Sequence, residues 1–194
     1  MEKLTRDDLM SLEAYDAHRP EFRRRVMAHK KNRRLPLGPH AALYFEDSLT
    51  MQYQIQEMLR AERIFQADGI EEELATYNPL IPDGSNWKAT FMLEYTDVAQ
   101  RQEAVGRLIG IEDSVWMRVA GFDRIYAIAD EDIERETDDK TSTVHFMRFE
   151  MTPEMVAAIK GGAALSAGID HPGMTIEVDP VPEITARAII ADLD

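Results

Sequence analysis

Residues 87–95 read Trp-Lys-Ala-Thr-Phe-Met-Leu-Glu-Tyr, and this stretch decides the expected fold. Every odd-numbered position from Trp87 to Tyr95 holds an apolar or aromatic residue, whereas Lys88 and Glu94 fall at even numbers. Successive side chains of a strand point to opposite faces. The pattern therefore predicts a strand with one buried face and one more polar face.

The same succession of elements follows this strand and then returns. Turn and helix signals predict a helix from Asp97 to Gly110 and a hairpin over 114–129. A strand over 144–151, a helix from Pro153 to Gly161, and a hairpin over 165–178 repeat that order. The two stretches share little beyond Phe-Met, so an internal duplication is a hypothesis. We expect an α+β fold in which two βαββ-like units build one mainly antiparallel sheet with helices packed on it.

The chain before residue 85 has a helical pattern. We predict a short helix ending near Tyr15, a second helix from Pro20 to just before Pro36, and a short strand over 41–45. A long helix over 49–66 would follow and end at Asp68-Gly69. The proline-rich stretch before residue 85 separates a helical part, 1–84, from a β-rich part, 85–194. We expect both parts to share a core in one compact domain, with a final helix over 183–193.

Composition excludes several classes of protein. The 194 residues include no cysteine, which excludes disulfides, thiol nucleophiles and an iron–sulfur cluster held by the chain's own thiolates. No apolar run approaches the roughly 20 residues of a membrane-spanning helix, and the first residues lack the apolar core of a signal peptide. We therefore expect a cytoplasmic protein that does not insert into membranes. The cofactor, if there is one, stays unknown.

The charge is unevenly distributed. The net charge is −14, but residues 19–34 hold eight basic side chains and one acidic one, so the rest of the chain carries −21. An acidic body disfavours nucleic acid as a partner, since that binding depends on neutralised phosphates. The basic segment is expected to rest against the chain's own acidic surface or against an acidic partner. Residues 130–139 hold seven acids, but they lack the glycine and ligand spacing of a calcium loop and predict a solvated loop or helix.

Glu62 is the first candidate functional residue. It falls on the apolar stripe of the helix predicted over 49–66, four residues after Met58 and three before Phe65. An unpaired carboxylate there would be costly. It could be a metal ligand, a general acid or an anchor for a cationic ligand; the preferred interpretation is a buried salt bridge to an arginine of 23–25 or 33–34.

His145 lies on the apolar face of the strand predicted over 144–151. A histidine in that position is either a satisfied core residue or a ligand or acid–base group. Arg148 and Glu150 lie on the opposite face, where they could pair with each other, or Arg148 could bind an anion. Lys140 stands beside Thr141 and Ser142, but the glycines of a phosphate-binding loop are missing.

These residues define the expected site. The candidate polar residues are Gln54, Glu57, Arg60, Glu62, Lys140, His145, Arg148 and Glu150. Glu62, His145 and His171 are the candidate metal ligands, although the Pro-Gly pair after His171 favours a turn. The sequence contains no His-Glu-x-x-His, no Gly-x-Ser-x-Gly and no Gly-x-Gly-x-x-Gly. Zinc-protease, serine-hydrolase and dinucleotide-binding functions are therefore disfavoured.

Several longer motifs resemble a known family over nearly the whole chain. The stretches that carry the resemblance are Leu37-Gly38-Pro39-His40, Phe45-Glu46-Asp47, residues 53–60 with Glu62-Arg63-Ile64, residues 77–84, Asp139-Lys140-Thr141-Ser142, Val144-His145-Phe146 and Arg148-Phe149-Glu150. They are similar to the bacterial family catalogued as domain of unknown function 3501. The resemblance implies no agreed activity. It implies genes beside those for a rubrerythrin and for an iron–sulfur oxidoreductase of the heterodisulfide-reductase type, and hence an association with redox or peroxide defence.

Two functional hypotheses follow. The first is a non-catalytic accessory or ligand-binding component of such a bacterial system, with the rubrerythrin and the oxidoreductase as partners and a homodimer as one expected assembly. The second is a metal-dependent or acid–base enzyme with a site of glutamate, histidine and arginine between the long helix and the sheet. The absence of recognisable catalytic motifs favours the first.

Overall fold

The computed structural model describes residues 2–133, 135, 137 and 139–194, and it has helices at both ends of the chain around two antiparallel sheets. The helices are α1 (Leu12–Lys31), α2 (Ser48–Glu62), α3 (Ala67–Tyr77), α4 (Val98–Arg107), α5 (Pro153–Lys160) and α6 (Glu183–Ile190). The strands are β1 (Arg34–Leu37), β2 (Ala41–Phe45), β3 (Asn86–Leu93), β4 (Val115–Val119), β5 (Arg124–Tyr126), β6 (Ile128–Ala129), β7 (Val144–Glu150), β8 (Leu165–His171) and β9 (Met174–Val178). Short 3₁₀ turns cover Arg6–Asp8, Asn78–Leu80 and Ile111–Ser114. The α+β prediction is confirmed.

The two units contribute to two sheets, so the prediction of a single sheet is wrong. The first sheet has the order β1-β2-β3-β7-β6 and the second has the order β5-β4-β8-β9. The first strands of the two units, β3 and β7, pair antiparallel, and so do β4 and β8. Each unit therefore places its first strand in one sheet and its hairpin in the other. The counterparts β3 and β7 thus lie side by side, as do β4 and β8, whereas β5 and β9 lie at opposite edges of the second sheet. The duplication stays a hypothesis.

Burial explains why two sheets form. Alternate residues of β7 are buried, and the same is true of the apolar face of β3, as the alternation predicts. β4 and β8 are buried over most of their length, so both of their faces must be covered. A single hydrophobic core joins residues of both sheets with residues of α4, α5 and α6. A second sheet is needed to cover the apolar face of the first.

The chain changes sheets after Tyr126. The hairpin predicted over 114–129 ends at Tyr126, and β6 then pairs with β7 in the other sheet. This crossover carries Asp130 to the side of β7, where its backbone N–H donates to the carbonyl of Phe146 at 2.8 Å. The prediction of one hairpin strand through residue 129 is therefore wrong, and the crossover is what positions the site described below.

The N-terminal helices differ from the prediction in two places. One helix, α1, runs through Pro20, where two helices were predicted. A proline inside a helix costs about 3 kcal/mol or more. Tyr15, Phe22 and Val26, on both sides of Pro20, are buried on one stripe of α1, and their packing keeps the helix continuous. In addition, α2 ends at Glu62 because Arg63 takes a left-handed conformation with φ of 58°. Asp68 and Gly69, predicted to end that helix, instead begin α3.

The expected boundary near residue 84 stays a prediction. β1 and β2 precede it, yet β2 pairs with β3, and Leu35 and Phe45 belong to the main core.

Part of the basic segment 19–34 rests against the chain's own acids. Arg19, Arg33 and Arg34 form ion pairs with acidic side chains. In contrast, Arg23, Arg24 and Arg25 are exposed. Among the described helices, none combines the length and the apolar character that a membrane crossing requires.

Candidate metal centre

His145 lies at the middle of the candidate centre. It points from β7 into the protein and is completely buried, opposite Phe91 of β3. Its Nδ1 atom lies 2.6 Å from Oδ2 of Asp130. Its Nε2 atom lies 3.0 Å from the hydroxyl oxygen of Thr141 and 3.1 Å from the carbonyl oxygen of Ser142. Both ring nitrogens thus have close polar neighbours in an otherwise apolar interior, as a buried imidazole requires.

Asp130 is held rigidly beside His145. Its φ angle of 49° lies in the left-handed region, which few residues other than glycine adopt. Its Oδ1 atom accepts hydrogen bonds from the backbone N–H of Phe146 and from Nη1 of Arg135, each at 3.0 Å. The guanidinium of Arg135 also lies 4.6 Å from the centroid of the Phe146 ring. These contacts hold the backbone in its strained conformation and fix the carboxylate against the imidazole.

Glu112 and Thr141 close the centre on the Nε2 side. Glu112 comes from the 3₁₀ turn Ile111–Ser114 and is buried, as is Thr141. The Thr141 hydroxyl donates to Oε2 of Glu112 at 3.2 Å, and Oε2 of Glu112 lies 3.7 Å from Nε2 of His145. Thr141 also lines an open cavity of about 340 Å³ with Lys140 and Ser142, so the centre lies next to solvent.

The arrangement has the features of a metal site. Glu112, Asp130 and His145 each offer one ligand atom, and these atoms lie within 4.8 Å of one another. Zinc and similar ions bind imidazole nitrogen and carboxylate oxygen at about 2.0–2.2 Å. Because Asp130 contacts Nδ1 and Glu112 lies on the Nε2 side, an ion bound to either ring nitrogen would require the more distant carboxylate to move toward it. A neutral imidazole with two carboxylates suits a divalent first-row transition metal.

The interpretation of Glu62 as a buried residue is wrong. Its side chain is exposed at the last position of α2. The stripe of α2 that is buried contains Met51, Ile55 and Leu59, and this stripe packs toward α1 and α3. Because the helix ends at Glu62, the next turn that would have covered this carboxylate does not exist. Neither the salt bridge to residues 23–25 or 33–34 nor a metal-ligand role is seen for Glu62.

The other predicted residues of α2 tie helices together. Glu57 accepts a two-pronged hydrogen bond from Nε and Nη2 of Arg19, at 2.7 and 2.8 Å, and a third bond from the Tyr15 hydroxyl at 2.5 Å. Arg60 is exposed, with Asp16 at 3.8 Å, and Gln54 is half-buried. These contacts join α2 to α1 and lie apart from β7. The predicted site between the long helix and the sheet is therefore not assembled.

We expect Glu57→Gln to lower the free energy of unfolding by about 1–2 kcal/mol at pH 7, because it weakens a charge-assisted pair that is partly exposed to solvent. The hydrogen bonds from Arg19 lower the pKa of Glu57 from 4.5 to about 2. The carboxylate thus stabilises the fold above its unfolded pKa, and this contribution is lost as the pH falls from 4.5 toward 2. Urea unfolding of both proteins should show a difference that shrinks over that range. A difference independent of pH would contradict this role.

The remaining predicted residues lie outside the centre. Arg148 and Glu150 face the opposite side of β7 and pair with each other, as one interpretation expected. Lys140 is exposed beside Thr141. His171 is buried, but its Nε2 donates to the carbonyl of Ile109 at 2.9 Å and its Nδ1 accepts from the N–H of Gly173 at 3.0 Å. The bond to Gly173 thus stabilises the β8–β9 turn, and the bond to Ile109 joins that turn to the segment after α4.

Sequence reasoning identified His145 and missed its partners. Strand alternation placed His145 on the apolar face correctly. The acidic run 130–139 predicts a solvated loop or helix, which conceals Asp130, and the residues around Thr141 resemble an incomplete phosphate-binding loop. For Thr141 the family motif that joins it to His145 was a usable signal. Nothing in the local sequence distinguishes the buried Glu112 from an acid at the surface.

The comparisons with known proteins agree with this fold. The model of the family described as "Protein of unknown function (DUF3501)" matches residues 3–193. A crystal structure of a novel protein of unknown function from Burkholderia pseudomallei K96243 is similar to this chain, with 51% identity, a TM-score of 0.94 and complete coverage of both chains. No protein among the curated ones matches this chain. Because the family model spans almost every residue, the chain belongs to the DUF3501 family of proteins of unknown function.

Proposed function

We propose that this protein is a metal-binding accessory component of a bacterial redox or peroxide-defence system. Its buried centre would bind one divalent transition-metal ion through His145, Glu112 and Asp130. The observation that carries the metal-binding part is the convergence of these three side chains from three separate segments. The redox part rests on the gene neighbours that the family resemblance implies.

The electrostatics of the centre support a cation. Two carboxylates lie against one imidazole in a largely buried space, and Arg135 is the cation paired with Asp130. Buried negative charges that lie close together are unfavourable unless they are neutralised. A divalent ion would neutralise both carboxylates at once. Asp130 is already oriented by the Phe146 amide and Arg135, in the way that outer contacts orient metal ligands.

Titration of metal-free protein with Mn²⁺, followed by electron paramagnetic resonance of the free ion, tests metal binding. We expect one site per chain. Glu112→Gln and Asp130→Asn should each weaken it by about 10- to 100-fold or more, because each removes a charged ligand. Glu150→Gln is the matched control: this glutamate lies on the same strand as His145 but on the other face. Absence of binding, or equal losses in the control, would refute the metal site.

The accessory role is tested separately. A pull-down at low salt with the native-host rubrerythrin and iron–sulfur oxidoreductase as candidates should recover at least one of them. Charge-dependent contacts weaken with ionic strength, so recovery should fall at 0.5 M salt. If neither is recovered at low salt, the redox association is wrong, whereas metal binding would be unaffected.

One observation favours a second candidate function. Thr141, His145 and Asp130 follow one another at 3.0 and 2.6 Å in the order hydroxyl, imidazole, carboxylate. Hydrolases that use a nucleophilic hydroxyl show this order. Under this alternative, Thr141→Val would abolish hydrolysis of p-nitrophenyl acetate. Under the metal-binding proposal, Thr141→Val would leave no such activity to lose and would change Mn²⁺ affinity less than Glu112→Gln does.

A further inference from the structure

A second cavity lies on the other face of the first sheet, away from His145. It has a volume of about 210 Å³. Pro79 and Leu80 form one wall, and Phe146 and Met147 form another. Lys88 of β3 and Arg148 of β7, which are direct neighbours across the two strands, line the same cavity. Glu131 and Asp132 line it as well, and each is paired with an arginine, Glu131 with Arg148 and Asp132 with Arg135. The walls thus combine apolar side chains with two cations and two neutralised acids.

The two cations differ in how well they are satisfied. Arg148 donates to both oxygens of Glu131, at 2.9 and 2.8 Å, and to Glu150, so its charge is neutralised. Lys88 is half-buried. Within the described part of the chain, no acceptor lies within hydrogen-bonding distance of its ammonium, and no acid lies within ion-pair distance. Burial lowers the pKa of Lys88; the nearby charge of Glu131 acts in the opposite direction, and the charge of Arg148 acts in the same direction as burial.

We infer that this cavity binds a small organic carboxylate, whose carboxylate pairs with the Lys88 ammonium while its apolar body packs against Leu80 and Phe146. A polar group that has lost part of its hydration without gaining a partner is destabilising, and an anion would relieve that cost. Of the two cations in the lining, Arg148 is neutralised by acids, and Lys88 has no acid within ion-pair distance among the described residues. One such cation suits a monocarboxylate better than a phosphate, which requires more donors. The volume lies below the usual about 300–1,000 Å³ of drug-sized ligand sites, so the body is one ring or a short alkyl chain.

The test uses two probes that share one ring. 4-Fluorobenzoate carries the carboxylate, and 4-fluorobenzyl alcohol replaces it with an uncharged group. Binding of each to the full chain, freed of metal with EDTA, is followed by ¹⁹F NMR. We expect the carboxylate to bind about tenfold or more tightly than the alcohol, as a charge-assisted hydrogen bond would produce.

Three variants identify the site. Lys88→Met keeps the aliphatic stem and should reduce benzoate affinity to that of the alcohol. Leu80→Trp should fill the cavity and weaken both probes. Lys31→Met, at an exposed lysine of α1, is the control and should change neither. Equal affinity for the two probes, or unchanged benzoate binding in both Lys88→Met and Leu80→Trp, would overturn the inference. Because the metal is removed, the result is independent of the metal centre.

Discussion

Replacing His145 with leucine is expected to lower the free energy of unfolding by about 3–5 kcal/mol, because it leaves the largely buried carboxylate of Asp130 without this hydrogen-bond partner. The imidazole is completely buried and separates the carboxylates of Asp130 and Glu112. Leucine fills part of the space but offers no hydrogen bond to either. The two acids would then lie near each other with one fewer donor. Chemical denaturation at pH 7 measures the loss, and Mn²⁺ binding should disappear as well.

Two further substitutions test whether the loss comes from the hydrogen bonds of His145: one keeps a donor at this position, and the other is a control at an exposed histidine. His145→Asn keeps a donor near the position of Nδ1 and should cost less, about 1–3 kcal/mol, since the bond to Asp130 can be retained. His18→Leu alters an exposed histidine of α1 and should change stability by no more than about 0.5 kcal/mol. If His145→Leu were as mild as His18→Leu, the buried polar centre would not exist as described.

Replacing Arg33 with methionine is expected to produce a loss of similar size, about 3–5 kcal/mol. The guanidinium is 2% exposed and donates to three backbone carbonyls, those of Phe45, Ala188 and Glu46, at 3.0, 3.0 and 3.1 Å. It also forms an ion pair with Asp192. Removal would leave Asp192 buried without its cation and would release the end of β2 from the C-terminal helix. Denaturant titration measures the change.

A double variant tests this explanation. Burial raises the pKa of Asp192 to about 6, even though the hydrogen bond from Arg33 acts in the opposite direction. Arg33→Met combined with Asp192→Leu removes both charges, and buried ion pairs replaced by apolar residues often recover stability. We expect the double variant to be more stable than Arg33→Met alone. Arg23→Met, at an exposed position of α1, is the control. A double variant less stable than the single one would contradict the ion-pair account.

The alternation and turn signals of short stretches of sequence predicted many of the individual strands and helices of this fold well. The alternation of residues 87–95 and 144–151 specified two strands and their buried faces, and β3 and β7 have those faces. The turn signals specified β8 and β9 and the helices α4, α5 and α6. Each of these features depends on neighbours within a few residues, so the sequence pattern contains the information.

Features that depend on distant contacts were predicted poorly. Pro20 is a strong local signal for a helix start, but the buried stripe of Tyr15, Phe22 and Val26 outweighs it. Arg63 ends α2 in a left-handed conformation for which glycine is the usual residue. The long helix predicted through residue 66 placed Glu62 in a core position that the actual helix end leaves exposed.

The sequence alone determined the class of fold, the absence of thiol chemistry, the family and the inward direction of His145. Only the tertiary structure decided which residues surround it. Asp130 reaches His145 because the chain crosses between sheets after Tyr126, and Glu112 reaches it from a turn 33 positions earlier in the chain. Strand and helix periodicity describe which side of an element a residue occupies, whereas pairing between distant elements is set by how their apolar faces are buried together.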